Sequence, residues 1–494
     1  MKANHSPEIK EMFLWALGRP LFLLFTAQLC PVSTPLYAAP AQKTNAEPHL
    51  LVLKGGTLID GTGKAPIKNA VVVIRGNRID AVGTGSQVRI PDGAEVLDAS
   101  NRFILPGLID SHFHYADWMP GELLLAFGET TAFHFGSRIA KAKPPGEDAP
   151  TWPRIFFAGR TVGTPTEMTL LGPVQGKGTV TTPEEARELV RQNKQGGATF
   201  ITVNENLTPD LLSAAIEQAH SMGLAVIGHE VNAANAVRAG LDGVEHMTGV
   251  AFACITDQKL IEPLSELQKK GPTLRAVSHP ISNPEYYMEP AEERKSIRLM
   301  VDRHAFLNPT MVTRWQRVEP HTTEFHEQYK RMSEAPEWQF VPENIRRSWL
   351  DTLVPYPEWT DPEHQQQEQA GYRKTQQFLR DFTAAGGKIF SGTDFSYSAV
   401  MGLRLHQELL LLVDAGLTPM QAILTATRYP TEVIHIDKDL GTVEPGKLAD
   451  IIVVDADPLQ RIQNLKRISR VILNGKIVPS RFRPDSIDSP ASSH

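Results

Sequence analysis

The chain has little cysteine, only Cys30 and Cys254 in 494 residues. A four-cysteine metal site is therefore excluded, and any metal must rest on His, Asp or Glu. Cys30 lies in an N-terminal segment expected to be removed, which leaves Cys254 without an intramolecular disulfide partner. An excess of one charge is missing too: 50 Lys and Arg face 56 Asp and Glu, for a formal net charge of -6. That balance gives neither a nucleic-acid footprint nor a polybasic membrane surface. Long apolar runs are also lacking. Leu21-Phe22-Leu23-Leu24-Phe25 falls well short of the roughly 20 residues of a membrane span and is preceded by Arg19-Pro20.

That short run, followed by the small residues Ala38-Ala39-Pro40-Ala41, reads as a secretory signal over residues 1–41. The expectation is bacterial export, to the periplasm or the medium, with no membrane attachment after cleavage. At the other end, residues 481–494 are rich in Ser, Asp and Pro and read as a disordered tail. The expected partner is a small-molecule substrate; self-association stays open.

The whole chain is 41% hydrophobic and 21% charged, and what lies between these ends is long enough for one large domain and a smaller one. Period-two runs with glycine turns, such as Ala70-Val71-Val72-Val73-Ile74, fill residues 48–106. They are too few to close a core alone. Their complement stands at residues 437–480, in Ile451-Ile452-Val453-Val454 and Val471-Ile472-Leu473. One composite β-sandwich built from both ends would then enclose residues 107–436. In that middle, strands alternate with helices. Thr182-Pro183-Glu184-Glu185 predicts a helix start with a capping box and Pro at the first position, and Phe200-Ile201-Thr202-Val203 follows its Gly196-Gly197 end as a strand. Repeated β-then-α units at this length predict an α/β fold with a closed (β/α)8 barrel.

The histidines fall where such a barrel does its chemistry. His112 and His114 stand two apart after the apolar run Phe103-Ile104-Leu105 and the break Pro106-Gly107, so they share a strand face. Two neighbouring histidines alone are a weak sign of a metal. His229, His246 and Asp394, however, also close predicted strands, and catalytic groups of these barrels gather at the carboxyl ends of the strands. Four imidazoles and one carboxylate at such ends suit a divalent ion, zinc above all. The Glu-, Gln- and His-rich stretch from Trp315 to Gln376 reads as helical excursions over the barrel mouth, with His321, His326 and His364 on the surface. Arg160, Arg275 and Arg314 are candidate anchors for a substrate carboxylate.

The motifs Pro106-Gly107-Leu108-Ile109-Asp110-Ser111-His112-Phe113-His114, Gly228-His229, Val244-Glu245-His246, Gly392-Thr393-Asp394 and Gly441-Thr442-Val443-Glu444-Pro445-Gly446-Lys447 carry a resemblance. Together they resemble the amidohydrolase superfamily, on the branch of imidazolonepropionase-like and prolidase-like (Xaa-Pro or Xaa-Arg dipeptidase) members. The resemblance implies a metal-dependent hydrolase of C–N bonds. His112, His114 and Asp394 would hold the more buried ion and His229 and His246 the second, with Asp394 as proton shuttle. One position departs from the pattern. Binuclear members present a bridging, carboxylated lysine on the fourth strand, where this chain has Thr202. Phe133-His134 likewise stands where the family often has Arg-Asp near the end of the second strand.

Three readings follow. The site holds one ion, with His246 polarising the substrate carbonyl. Or it holds two ions bridged by hydroxide, helped by His134 or Asn204. Or the barrel is a metal-poor binding scaffold. The first suits a cyclic amide, lactone or amidine, and the second a dipeptide or an N-acyl amino acid.

Overall fold

A computed structural model of the chain describes residues 49–479, with breaks at 116–118, 138–150, 165–176, 205–206, 230–231, 262–282, 315–317, 319–320, 340, 352–360 and 395–399, together with residue 484. The expected signal segment, the tail after 484 and Arg275 lie outside the described residues.

Pro106 and Gly107 join the two parts of the fold. The strand Phe103–Pro106 runs antiparallel to Ile451–Val454, pairing Pro106 with Ile451 and Phe103 with Val454. This one pairing stitches the ends of the chain into a single sheet of eight strands. Apolar side chains alternate along its strands, and Leu51, Leu53, Val72, Ile74, Ile104, Ile451, Val453 and Ile472 form one of its cores. Gly107 then enters the barrel where no side chain fits: a Cβ there would lie 2.0 Å from Thr130 Oγ1.

The barrel closes strand by strand. Its first strand, Leu108–Phe113, pairs parallel with the second, Glu129–His134, and that with the third, Arg154–Phe157, which resumes as Thr161–Gly163. The fourth to seventh strands are Ile201–Val203, Val226–Gly228, Gly243–Glu245 and Phe306–Asn308, all parallel. An eighth extended segment bridges Ile389 to Leu307 and returns to the first strand through Ser111 N–H to Ser391 O at 3.0 Å. The α/β barrel with a composite β-unit expected from the sequence is the fold. The capping box also forms, with Glu185 N–H on Thr182 Oγ1 and Thr182 N–H on Glu185 Oε2, both at 3.2 Å, opening the helix Pro183–Gln195.

One expectation changes, that of His321. The stretch after Trp315 is helical, as expected, and packed into the fold: in its helices His321–Glu334 and Glu343–Asp351, Phe325, Tyr329, Met332 and Trp349 are fully buried, and so is Trp338 between them. Trp338 meets Phe127 at 6.0 Å, and Tyr329 Oη donates to Gln407 Oε1 at 2.9 Å. The described contacts therefore anchor it in the helical layer beside the first and eighth strands. His321 is accordingly buried, 5% exposed, and stacks on Phe325; aromatic packing won over its polar neighbours in sequence.

Candidate metal centre

The first and eighth strands bring the site together. Asp110, two residues before His112, accepts hydrogen bonds from Thr393 N–H at 3.0 Å, Thr393 Oγ1–H at 2.6 Å and His112 N–H at 3.1 Å. Burial pushes the Asp110 carboxyl up to about 6 against the pull of these donors. The clamp seats Asp394 beside His112. Gly392 permits the approach, because a Cβ there would lie 2.5 Å from His112 N.

His112 Nε2 lies 3.2 Å from His114 Nε2 and 3.4 Å from Asp394 Oδ1, and His114 Nε2 lies 3.1 Å from that same oxygen. His246 Nε2 is 3.8 Å from Asp394 Oδ2. His229 completes the ring of imidazoles, its centroid 4.8 Å from His246 and 5.3 Å from His112. Two sets of three donors result, His112–His229–His246 and His112–His114–Asp394, each with its ligand atoms within 4.8 Å of one another. The convergence of His112, His114, His229, His246 and Asp394 is thus present in the fold.

The far edges of two rings are already engaged. Assigning the proton to Nδ1, His112 donates to Glu245 Oε2 at 2.7 Å, and His246 Nδ1–H donates to Thr310 Oγ1 at 2.5 Å. Each ring therefore turns Nε2 toward the others, the arrangement by which outer partners orient metal-binding histidines. Burial pushes the Glu245 carboxyl well above its ordinary value, opposed by the Asn308 side chain. Burial also lowers His112 to about 4, despite the nearby Asp394 and Asp110 carboxylates, so its imidazole is neutral at pH 7. For Asp394, burial favours the acid form, but the imidazoles of His112, His114 and His246 outweigh it and hold the carboxyl well below its ordinary value. A neutral His112 ring and an ionised Asp394 carboxylate are protonation states that a divalent cation takes up. The residues fit a metal.

Backbone strain gathers at the same place. Asp394, His246 and Thr310 are non-glycine residues with φ of 44°, 63° and 42°, a conformation that costs energy and tends to mark functional sites.

Other candidates fall outside. Thr202 is fully buried and pairs its hydroxyl with Thr161 Oγ1 at 2.9 Å. His134 belongs to neither donor set; it donates Nδ1–H to the Phe113 carbonyl at 3.2 Å. Arg314 is no free carboxylate anchor, since Glu285 and Glu368 lie 3.0 and 3.3 Å from it, and Arg160 bonds Gln192 on the exposed side of the third strand. Sequence reading missed Glu245, Thr310, Asp110 and Phe135. Glu245 and Asp110 could have been found, being acids one and two residues before a candidate ligand in apolar strands.

The amidohydrolase family's sequence profile matches residues 147–478. The chain belongs to the amidohydrolase family. It is accordingly a hydrolase, and the matched region holds His229, His246 and Asp394 but begins after His112 and His114. Among relatives, it is 23% identical over 457 residues to a dihydroorotase of Pelotomaculum thermopropionicum, covering 88% of this chain and 94% of that protein. It is 25% identical over 211 residues to a 5-methylthioadenosine/S-adenosylhomocysteine deaminase of Symbiobacterium thermophilum, 36% of this chain and 48% of that one, so the chain spans about half that relative's length. A Xaa-Pro dipeptidase solved with methionine in its active site has the same fold, with a TM-score of 0.57 at 22% identity over 87% of this chain and 99% of that one.

Proposed function

We propose that this amidohydrolase binds one divalent ion, zinc by its donor chemistry, and hydrolyses the C–N bond of an amide or dipeptide-like small molecule. The observation that carries the reading is His112. Both donor sets need it, its Nδ1 is committed to Glu245, and the single lone pair of Nε2 serves one ion. With Thr202 turned to Thr161, the fourth strand offers no bridge to a second.

A bound divalent ion would lower the pKa of water toward about 7 and polarise the scissile carbonyl. The chain's own groups do the rest. Asp394, ionised and a quarter exposed, accepts the proton shed by the attacking water and returns it to the leaving nitrogen. His246, fixed by Thr310, orients the substrate carbonyl. His112 and His114 would hold the ion beside Asp394, each through Nε2. Retention of this whole set supports an enzyme over a metal-poor scaffold. A second reading, opening of a cyclic amide or lactone or hydrolysis of an amidine, is favoured by the same single-ion geometry. We propose export as well, on the composition of residues 1–41.

Elemental analysis of protein purified without chelators tests the reading, with about one equivalent of zinc per chain expected. The purified enzyme is then screened against dipeptides, N-acyl amino acids and cyclic amides. Two equivalents would overturn the single-ion reading; no metal after reconstitution, with no turnover, would overturn the hydrolase.

A further inference from the structure

Phe135 follows the last residue of the second strand, and its ring lies parallel to that of His112, with centroids 3.8 Å apart and planes 9° from one another. The same ring meets His114 and His229 near its edges, at 6.1 and 6.0 Å, so one phenyl group touches three of the four imidazoles. It is only 7% exposed. Its backbone is pinned by Phe135 N–H to Phe113 O at 3.0 Å, and Phe200 is a further ring neighbour at 5.7 Å.

We propose that Phe135 is a positioning residue of the metal centre, setting the ring plane of His112 and closing the His112–His229 side of the centre with an apolar wall. The proposal rests on the metal reading above. The lone pair of an imidazole nitrogen lies in the ring plane, so its aim depends on a pivot and on a plane. Glu245 supplies the pivot at Nδ1. One hydrogen bond leaves the ring free to tilt, and a stacked neighbour removes that freedom. Because His112 belongs to both donor sets, a tilt would misalign both at once. Phe133, two residues earlier on the same strand, provides the contrast: it is fully buried, with Phe156 and Phe200 as its aromatic neighbours at 5.9 and 5.7 Å. A bulky apolar core ring on the strand and a ring stacked on a ligand just past its end thus stand two residues apart.

The test titrates metal-stripped protein with Co2+ in competition with a chelating dye and records the visible Co2+ spectrum, with far-UV circular dichroism as the check on folding. Phe135→Leu keeps apolar volume but loses the plane; affinity is expected to fall about 10–100-fold, as when outer partners of metal ligands are removed, with an altered Co2+ spectrum. Phe135→Tyr keeps the stacked ring and should stay within about threefold of wild type, as should Phe133→Leu. If Phe135→Leu does not fold, Phe135→Met is read in the same way. Unchanged affinity in the Leu or Met variant, or an equal loss in Phe133→Leu, overturns the proposal while leaving the metal reading intact. Wild-type protein that takes up no Co2+ overturns the metal reading and this one with it.

Discussion

Arg314 and His112 both sit among buried titratable groups, yet the two clusters are assembled from opposite materials. Around Arg314 the charges complement each other. Its guanidinium faces Glu285 at 3.0 Å and Glu368 at 3.3 Å, with His364 Nε2 3.7 Å from the same Glu368 oxygen. Donors meet acceptors, and the cluster needs nothing from outside to tie the helix Met311–Arg314 to the helix Pro362–Ala384. Around His112 the groups are all potential metal ligands: ring nitrogens and a carboxylate oxygen converge within 3.1 to 3.4 Å. Such a set is satisfied by a cation. Complementary burial is thus a device of architecture, and self-similar burial a device of binding. Variants that remove one group from each cluster should fail in different ways.

The largest effect is expected from Asp394→Asn. The amide keeps size and polarity but cannot carry the proton, so kcat should fall by about 10²–10⁴ while far-UV circular dichroism still reports a folded protein. Undiminished turnover on a substrate found in the screen would remove Asp394 from the chemistry. Next comes Glu245→Gln, which weakens the acceptor that fixes His112 Nδ1. Metal affinity should drop by about 10–100-fold, read by competitive titration, with stoichiometry unchanged.

Arg314→Met probes the other cluster. Removing one partner from a buried pair leaves Glu285, which is 1% exposed, without its counter-charge and costs on the order of 3 kcal/mol. The urea midpoint should fall accordingly, and metal content should not change. A loss of metal in this variant would mean that the two clusters are coupled and the contrast between them too sharp.

The two clusters also differ in how legible they were. His112, His114, His229, His246 and Asp394 could be found because each closes a strand, and strand order in a parallel barrel converts sequence position into a place on one rim. The barrel itself followed from alternating periodicities. What could not be read is what depends on side chains meeting across strands far apart in sequence. Glu245 reaches His112 across 133 positions and Asp110 reaches Thr393 across 283; only the closed barrel sets those distances. Phe135 looked like any core aromatic on a strand, since nothing in its sequence neighbours says which ring it will stack upon. His321 misled for the opposite reason: its polar sequence neighbours suggested a surface position, but the helices of this stretch bury Phe325, Tyr329 and Trp349, with Trp338 buried between them.

His134 gives the smallest effect at neutral pH and the cleanest check on the border of the centre. Like His112 it is buried, 8% exposed, and burial, partly offset by the Phe113 carbonyl, lowers it to about 4. Unlike His112 it joins neither donor set. His134→Asn, whose amide can still donate to that carbonyl, should therefore leave metal content unchanged at pH 7.5. The difference belongs in acid. The folded state binds fewer protons at His134 than the unfolded state between about pH 6.5 and 4, so wild-type stability falls as pH drops through that window and the loss is complete near its lower end. Removing the imidazole removes this contribution, up to about 3 kcal/mol by pH 4. Urea unfolding of the metal-free protein between pH 7.5 and 4.5 reads it, because the matching contribution of His112 is common to both proteins and cancels in the difference. Wild-type and variant curves should run together above about pH 7 and separate below 6, the variant the more stable. Parallel curves over the whole range would mean that His134 is not held neutral, and a loss of metal at pH 7.5 would return it to the centre.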